Sequence, residues 1–238
     1  MKNNYDGFED IYSRTKIVIG EENLKKLKVS KVCICGIGGV GSFTLEALAR
    51  IGVGTIHIID KDVVDITNIN RQIIADVESV GKDKVECAKN RVKKTNPDID
   101  VIAIKETITV DNMENLIPKD SDYVIDAIDM VESKIAIIQY CKEKNIEIIS
   151  SMGMANKMNP CDIKVSDISK TSVCPLAKII RKKLREKNIG KLKVVYTEEQ
   201  PIGNKQGLLG SVSFVPGVAG LVIASEVVKD IINKSDKQ

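Results

Sequence analysis

A glycine-rich turn set between a short apolar run and an amphipathic run constrains this chain more than any other feature. Residues 31–35, Lys-Val-Cys-Ile-Cys, lead into Gly36-Ile-Gly38-Gly39-Val-Gly41, and residues 40–51 continue with helical periodicity. A buried parallel strand reads as a continuous apolar run, and strand, glycine turn and helix in this order open a doubly wound nucleotide-binding sheet. Glycine lets the backbone approach phosphate oxygens, while the free amides and dipole of the helix N-terminus favour negative charge. Gly36, Gly38, Gly39 and Gly41 are therefore candidate cofactor-binding positions. Asp60 closes the next apolar run, 55–59, nineteen residues beyond Gly41, where an acid can bind ribose hydroxyls. Taken alone, this half of the motif suits a dinucleotide.

The rest of the chain alternates in the same way. Residues 9–28 read as an amphipathic helix or broken helix pair carrying Arg14, with Leu24 and Leu27 on one face. Further helices are expected at 81–96, 111–116 and 131–145, and strands at 101–104, 123–127 and 147–151. The spacing suits right-handed crossovers, so the fold class is α/β: a doubly wound, mostly parallel Rossmann-like sheet with an N-terminal helical segment. A C-terminal α/β extension follows, with strands at 163–168 and 192–196, a basic helix at 175–187, a mobile loop at 198–210 and a last helix at 218–232 opened by Pro216-Gly217. The chain, 1–238, is expected to form one domain, with a nucleotide-binding half (1–151) and a substrate-binding half (152–238).

Composition narrows the setting. No run approaches eighteen apolar residues, which argues against a membrane helix, and residues 1–10 are polar and acidic without the pattern of a signal peptide. Six cysteines at 33, 35, 87, 141, 161 and 174 contain no Cys-x-x-Cys pair, which speaks against structural zinc and a disulfide framework and for a reducing, cytoplasmic setting. Net charge is only +3, but residues 178–193 concentrate basic side chains, among them Lys178, Arg181, Lys182, Lys183 and Arg185, against the single acid Glu186. Composition by itself favours a solvated helix face there; the same charges can attract a polyanion.

Beyond Asp60 the chain stops resembling a dehydrogenase. Asp60-Lys-Asp62 leads to Asn68-Ile-Asn-Arg71-Gln and then Gly81-Lys-Asp-Lys84. A fork-shaped arginine and an amine near a phosphate turn suit a triphosphate, whereas a dinucleotide pyrophosphate is usually satisfied by backbone amides. Asp126-Ala-Ile-Asp129 ends the fourth strand, at the sheet edge where such folds bind ligand, and a carboxylate there can hold Mg²⁺ against phosphate oxygens. Lys82 competes with Lys84 for the role of the amine. His57, the sole histidine, lies inside a strand and is a poor candidate for a base.

The series Gly-x-Gly-Gly-x-Gly-Ser, Asp-x-Asp, Asn-x-x-Arg-Gln, Lys84 and Asp-x-x-Asp resembles the ubiquitin-activating-enzyme-like superfamily of ATP-dependent adenylating enzymes. Within it the chain is most similar to the tRNA threonylcarbamoyladenosine dehydratases. That similarity is carried by Ser13-Arg14-Thr15 with Gly20-Glu21, Val124–Asp129, Asp167-Ile-Ser-Lys-Thr171 followed by Pro175-Leu-Ala, and the terminal Gly-x-x-x-Ala-Ser-Glu-Val-Val run. The resemblance implies that Gly36, Gly38, Gly39 and Gly41 cradle ATP, that Asp60 holds the ribose and that Asp62 is a further cofactor-binding residue. Asn68, Arg71 and Lys84 would contact the phosphates, and Asp129 would carry Mg²⁺. Arg71, Lys84, Asp129 and Arg14 would be the catalytic set, Arg14 reaching the ATP of a second subunit, which implies a homodimer. The implied substrate is tRNA carrying threonylcarbamoyladenosine, steered by the basic helix. A cysteine desulfurase system is an implied sulfur-transfer partner, and the loop 198–210 an implied flap. Cys174, before Pro175, is expected to be a buried thiol, because the nucleophile for ring closure lies in the substrate. The competing expectation is adenylation of a ubiquitin-like sulfur-carrier protein, whose enzymes commonly carry the Cys-x-x-Cys pairs missing here.

Overall fold

In the computed structural model, which describes residues 10–203 and 208–234, one seven-stranded sheet runs through the molecule in the order β3-β2-β1-β4-β5-β7-β6. The strands are β1 (Lys31–Cys35), β2 (Thr55–Ile59), β3 (Asp100–Ile104), β4 (Tyr123–Asp126), β5 (Glu147–Ser151), β6 (Ile163–Asp167) and β7 (Lys193–Thr197). All neighbours are parallel except β6, which pairs antiparallel to β7 at the edge. The order reverses between β1 and β4, so a crevice opens beyond their carboxyl ends. Central strands need apolar side chains on both faces, and Val32, Ile34, Val124 and Ile125 are fully buried.

The helices are α1 (Ser13–Ile19), α2 (Glu21–Val29), α3 (Gly41–Ile51), α4 (Lys84–Thr95), α5 (Met113–Leu116), α6 (Val131–Lys144), α7 (Pro175–Glu186) and α8 (Phe214–Asn233). The N-terminal helix is broken, as one of the two expected forms, at Gly20, whose φ of +81° stops α1 and begins α2. Leu24 and Leu27 face the core. Several boundaries shift by a residue or two, and two helix starts shift further for a local reason. α4 starts at Lys84 rather than residue 81, because Gly81 has φ +84° and residues 63 and 83 bridge, pulling 81–83 into a turn. α8 starts at Phe214 rather than after Pro216, since a first-turn proline lacks only an amide that has no helical partner.

α8 packs along α3 at short range. A Cβ at Gly220 would collide with the Val40 carbonyl oxygen, and Gly217 lies against the Phe43 ring. Thr44 Oγ1 donates to the Gly220 carbonyl at 3.0 Å, tying the C-terminal helix to the helix that opens the glycine turn. Among the described residues, no helix is long and apolar enough to cross a membrane.

Candidate active site

The carboxyl ends of β1, β2, β4 and β5 enclose a cavity of about 750 Å³. Its floor is the turn 36–41. Gly36 has φ +92°, and a Cβ there would strike Ile128 and the Ala127 carbonyl. A Cβ at Gly41 would overlap the Gly36 carbonyl oxygen, whereas Gly38 faces open space. No side chain caps the first turn of α3; the Ser42 amide donates to the Gly38 carbonyl, and the glycine-turn amides before it are left for an anion. A backbone cradle without side chains at an uncapped helix N-terminus fits a nucleotide phosphate. Gly41→Ala is expected to weaken ATP binding by roughly tenfold or more and to lower the melting temperature, since overpacking costs about 1–3 kcal/mol; a nucleotide titration and a thermal melt measure both.

Asp60 does more than the ribose assignment required. Its Oδ2 accepts from the Ile37 amide at 2.7 Å and its Oδ1 from the Asp62 amide at 2.9 Å. The carboxylate therefore pins the glycine turn to the loop after β2, and each oxygen keeps a lone pair for a hydroxyl.

That loop organises the cations. Asp62 accepts from Lys84 Nζ at 3.0 Å and from Lys61 Nζ at 2.8 Å. Burial pushes the Asp62 carboxyl up, but these two ammonium groups outweigh burial and hold it below the ordinary carboxylate range. Lys84 is buried at the start of α4 and points to the cavity through this ion pair. Of the rival lysines, Lys84 lines the cavity and Lys82 does not. Asp65 and Asn68 form a reciprocal capping box around the turn 66–68, with Asp65 accepting from the Thr67 amide and Asn68 Oδ1 accepting from the Asp65 amide. Among the described residues the Asn68 Nδ2 donates to no protein acceptor. Arg71 Nη1 donates to the Thr67 carbonyl at 2.8 Å and to Asn70 Oδ1 at 2.9 Å, which holds the guanidinium beside the cavity.

The Asp126-x-x-Asp129 pair divides. Asp126 and Lys134 of α6 are both 0% exposed and form an ion pair of 2.7 Å; Ser150 Oγ donates to the same Asp126 oxygen at 2.6 Å. Lys134 also donates to the Ser151 carbonyl at 2.9 Å, so this network ties the ends of β4 and β5 to α6. Asp129, three residues on, is exposed at the rim and makes no ion pair among the described residues. No cluster of three or more His, Cys, Asp or Glu able to hold a metal occurs among the described residues. One free carboxylate fits Mg²⁺ only if phosphate and water oxygens complete its shell, which is its usual habit.

The other wall of the cavity is built by residues 151–157, by 174–176 and by 209–211. Cys174 is buried, lines this wall and precedes Pro175 at the start of α7; Val173 before it has φ +62°, which a β-branched residue rarely adopts. Gln72 also lines the cavity, and its buried Oε1 has no protein partner. The loop 198–210 approaches here through Pro201, Leu209 and Gly210; its residues 204–207 lie outside the described residues. Arg14 lies exposed on α1, outside the cavity.

The five basic residues of α7 do not share one role. Ala177, Ile180 and Leu184 are buried, so the helix presents a cationic outer face. Arg181, however, turns inward, its Nη1 donating to the Thr171 carbonyl at 2.8 Å and to Thr171 Oγ1 at 2.6 Å. Lys183 pairs with Glu132 at 2.9 Å. Lys178, Lys182 and Arg185 remain exposed.

A doubly wound sheet with a glycine cradle, a paired lysine and a clamped arginine at its switch point defines a nucleotide-dependent adenylating domain. The chain belongs to the ThiF family, whose model matches residues 12–238. It is 43% identical over 239 residues to the tRNA threonylcarbamoyladenosine dehydratase of Bacillus subtilis, covering 93% of this chain and 94% of that one. The crystal structure of the Escherichia coli tRNA N6-threonylcarbamoyladenosine dehydratase in complex with ATP superposes with a TM-score of 0.90 at 34% identity, covering 95% of this chain and 96% of that one. The SAMP-activating enzyme E1 of Haloferax volcanii is 32% identical over 142 residues, 59% of this chain and 52% of its own length.

Proposed function

We propose that the cavity binds ATP and that the chain uses it to cyclise threonylcarbamoyladenosine beside a tRNA anticodon. The observation that carries this reading is continuity: the phosphate cradle with Arg71 and Lys84 lines the same cavity as residues 151–157 and 174–176, whose wall bounds the chamber this reading gives to the acyl group. A carboxylate oxygen of the substrate attacks the α-phosphorus, and pyrophosphate leaves. Arg71 and Lys84 face the charge that builds on the departing oxygens, where fixed cations act most strongly. Asn68 adds a neutral donor, and Asp60 holds the turn and the ribose. AMP is then a far better leaving group than hydroxide. A nucleophile within the threonylcarbamoyl group closes the ring and expels it, without a covalent enzyme intermediate, because the two reacting groups are already tethered. Mg²⁺ carried by Asp129 would offset triphosphate charge.

Lys178, Lys182 and Arg185 steer the tRNA backbone, in keeping with phosphate-dominated binding. A homodimer in which Arg14 approaches the ATP of the second subunit is part of the proposal. What supports it is the apolar surface flanking Arg14 on α1, where Ile17 is 75% and Val18 83% exposed. A single domain with a nucleotide half and a substrate half, working in the cytoplasm, completes the reading; the one sheet continuing across residues 151–152 supports the single domain.

The test is incubation with ATP, Mg²⁺ and tRNA carrying threonylcarbamoyladenosine. The nucleoside is expected to lose the mass of one water as AMP forms. AMP formed only on addition of a carrier protein ending in Gly-Gly, with the nucleoside unchanged, overturns it.

A further inference from the structure

Among the described residues two cations of the cavity form no ion pair: Arg71, held by the Thr67 carbonyl and Asn70 beside the phosphate cradle, and the buried Lys157. Lys61 and Lys84 share Asp62, and the core ammonium of Lys134 has Asp126. Lys157, on the loop after β5, lines the acyl chamber and is 3% exposed, yet among the described residues no carboxylate lies within ion-pair distance. Among the described residues its ammonium makes one hydrogen bond, long at 3.4 Å, to the Thr197 carbonyl, which leaves most of its three-donor capacity unspent. Of the titratable groups facing it, Cys174 is a buried thiol of the same wall, and the two carboxylates are already engaged. Glu199 accepts from the Met158 and Asn159 amides at 2.9 Å each, and Asp162 accepts from the Thr197 hydroxyl and the Glu198 amide.

A buried ammonium without a partner is costly, and burial pushes the Lys157 amine below its ordinary value. The fold nevertheless holds it there. Asn156, at φ +58°, a conformation asparagine tolerates, accepts from the Ile202 amide at 2.7 Å and donates its own amide to the Gly210 carbonyl at 2.9 Å. Both ends of the loop segment flanking the chamber are thus fastened to the residue that sets the direction of Lys157. The surrounding wall is apolar, with Met152, Met154, Cys174, Leu176 and Leu209. One fixed, desolvated cation in an apolar chamber beside a phosphate site is built for a single anion delivered by a ligand.

Resting on the function proposed above, we propose that Lys157 binds the substrate carboxylate and presents it to the α-phosphorus, and that it thereby distinguishes tRNA bearing the acyl group from tRNA lacking it. An ammonium-to-carboxylate hydrogen bond in a dry site contributes enough to discriminate by roughly tenfold to a hundredfold.

The experiment compares the full chain with Lys157→Met, which keeps the aliphatic stem, and Lys157→Gln, which keeps a donor. Each is assayed for AMP formation, for affinity toward α,β-methylene ATP, and, with that analogue bound, for affinity toward tRNA with threonylcarbamoyladenosine or with plain adenosine at the same position. The wild-type chain is expected to prefer the acylated tRNA by roughly tenfold or more, and both variants to lose the preference and about a hundredfold in kcat/KM while nucleotide affinity stays within about twofold. Variants that keep the preference, or that lose nucleotide and acyl affinity together, overturn the role of Lys157 and leave the cyclisation standing if the wild-type chain forms AMP. A wild-type chain that forms no AMP with acylated tRNA overturns both.

Discussion

Replacing Arg71 by alanine is expected to lower AMP formation by roughly a thousandfold, the scale on which removal of one preorganised charge donor acts. The loss should fall mainly in the adenylation step, because charge on the α-phosphate and the departing pyrophosphate is greatest in the transition state. The turn that carries Arg71 is held by the Asp65–Asn68 capping box and not by the guanidinium, so the melting temperature should change little. Arg71→Lys keeps the charge but not the planar guanidinium, whose Nη1 alone holds the Thr67 carbonyl and Asn70 and so leaves its other N–H groups for phosphate. It is therefore expected to recover only part of the rate. Pyrophosphate exchange at saturating ATP separates the two variants, and exchange at the wild-type rate in Arg71→Ala would place the phosphate clamp elsewhere.

The second large effect concerns stability. Asp126→Ala strands the Lys134 ammonium in the centre of the fold, with only Ser150 and the Ser151 carbonyl left to it. Breaking a buried pair from one side costs about 3–5 kcal/mol. In a chain of this size the melting temperature should fall by roughly 10 °C. Adding Lys134→Met removes the stranded charge and should restore most of that loss, since an apolar pair of similar volume is often as stable as the ion pair. The network also sets the β4–α6 turn, where the Ala127 amide donates to the Cys35 carbonyl and Ile128 packs over Gly36. The double variant is therefore a sensitive probe of whether the network serves the site as well as the fold. A single Asp126→Ala variant as stable as the parent contradicts the account of this network.

Much of this was legible in the residue order, for identifiable reasons. The apolar runs of β1, β2, β4 and β5 mark buried parallel strands, and Gly36 to Gly41 can hardly be placed elsewhere than at a strand–helix turn. Asp60 and Asp129 converge on the cavity because each sits just past a strand's carboxyl end, while Asn68, Arg71 and Lys84 reach it from the loop after β2 and the start of α4. What could not be read were the contacts. Asp62 serves as counter-ion to Lys84, a relation set by the bridge between residues 63 and 83 and not by spacing. The basic helix shows charge but not direction, so Arg181 turning to Thr171 was hidden among its neighbours. Lys134 did leave a signal, since the run Ile135-Ala-Ile-Ile138 after it offers little solvent face for a charge. Lys157 left none; only the closure of residues 202 and 210 onto Asn156 shows that it is buried.

The central claim is that the substrate carboxylate itself becomes bonded to the α-phosphorus of ATP before the ring closes. It is tested most directly with tRNA whose threonylcarbamoyl carboxylate carries ¹⁸O in both positions, incubated with the wild-type chain, ATP and Mg²⁺, followed by mass analysis of AMP and of the nucleoside. Adenylation followed by ring closure predicts one ¹⁸O in each AMP and one retained in the cyclic product. Unlabelled AMP formed together with dehydrated nucleoside contradicts it.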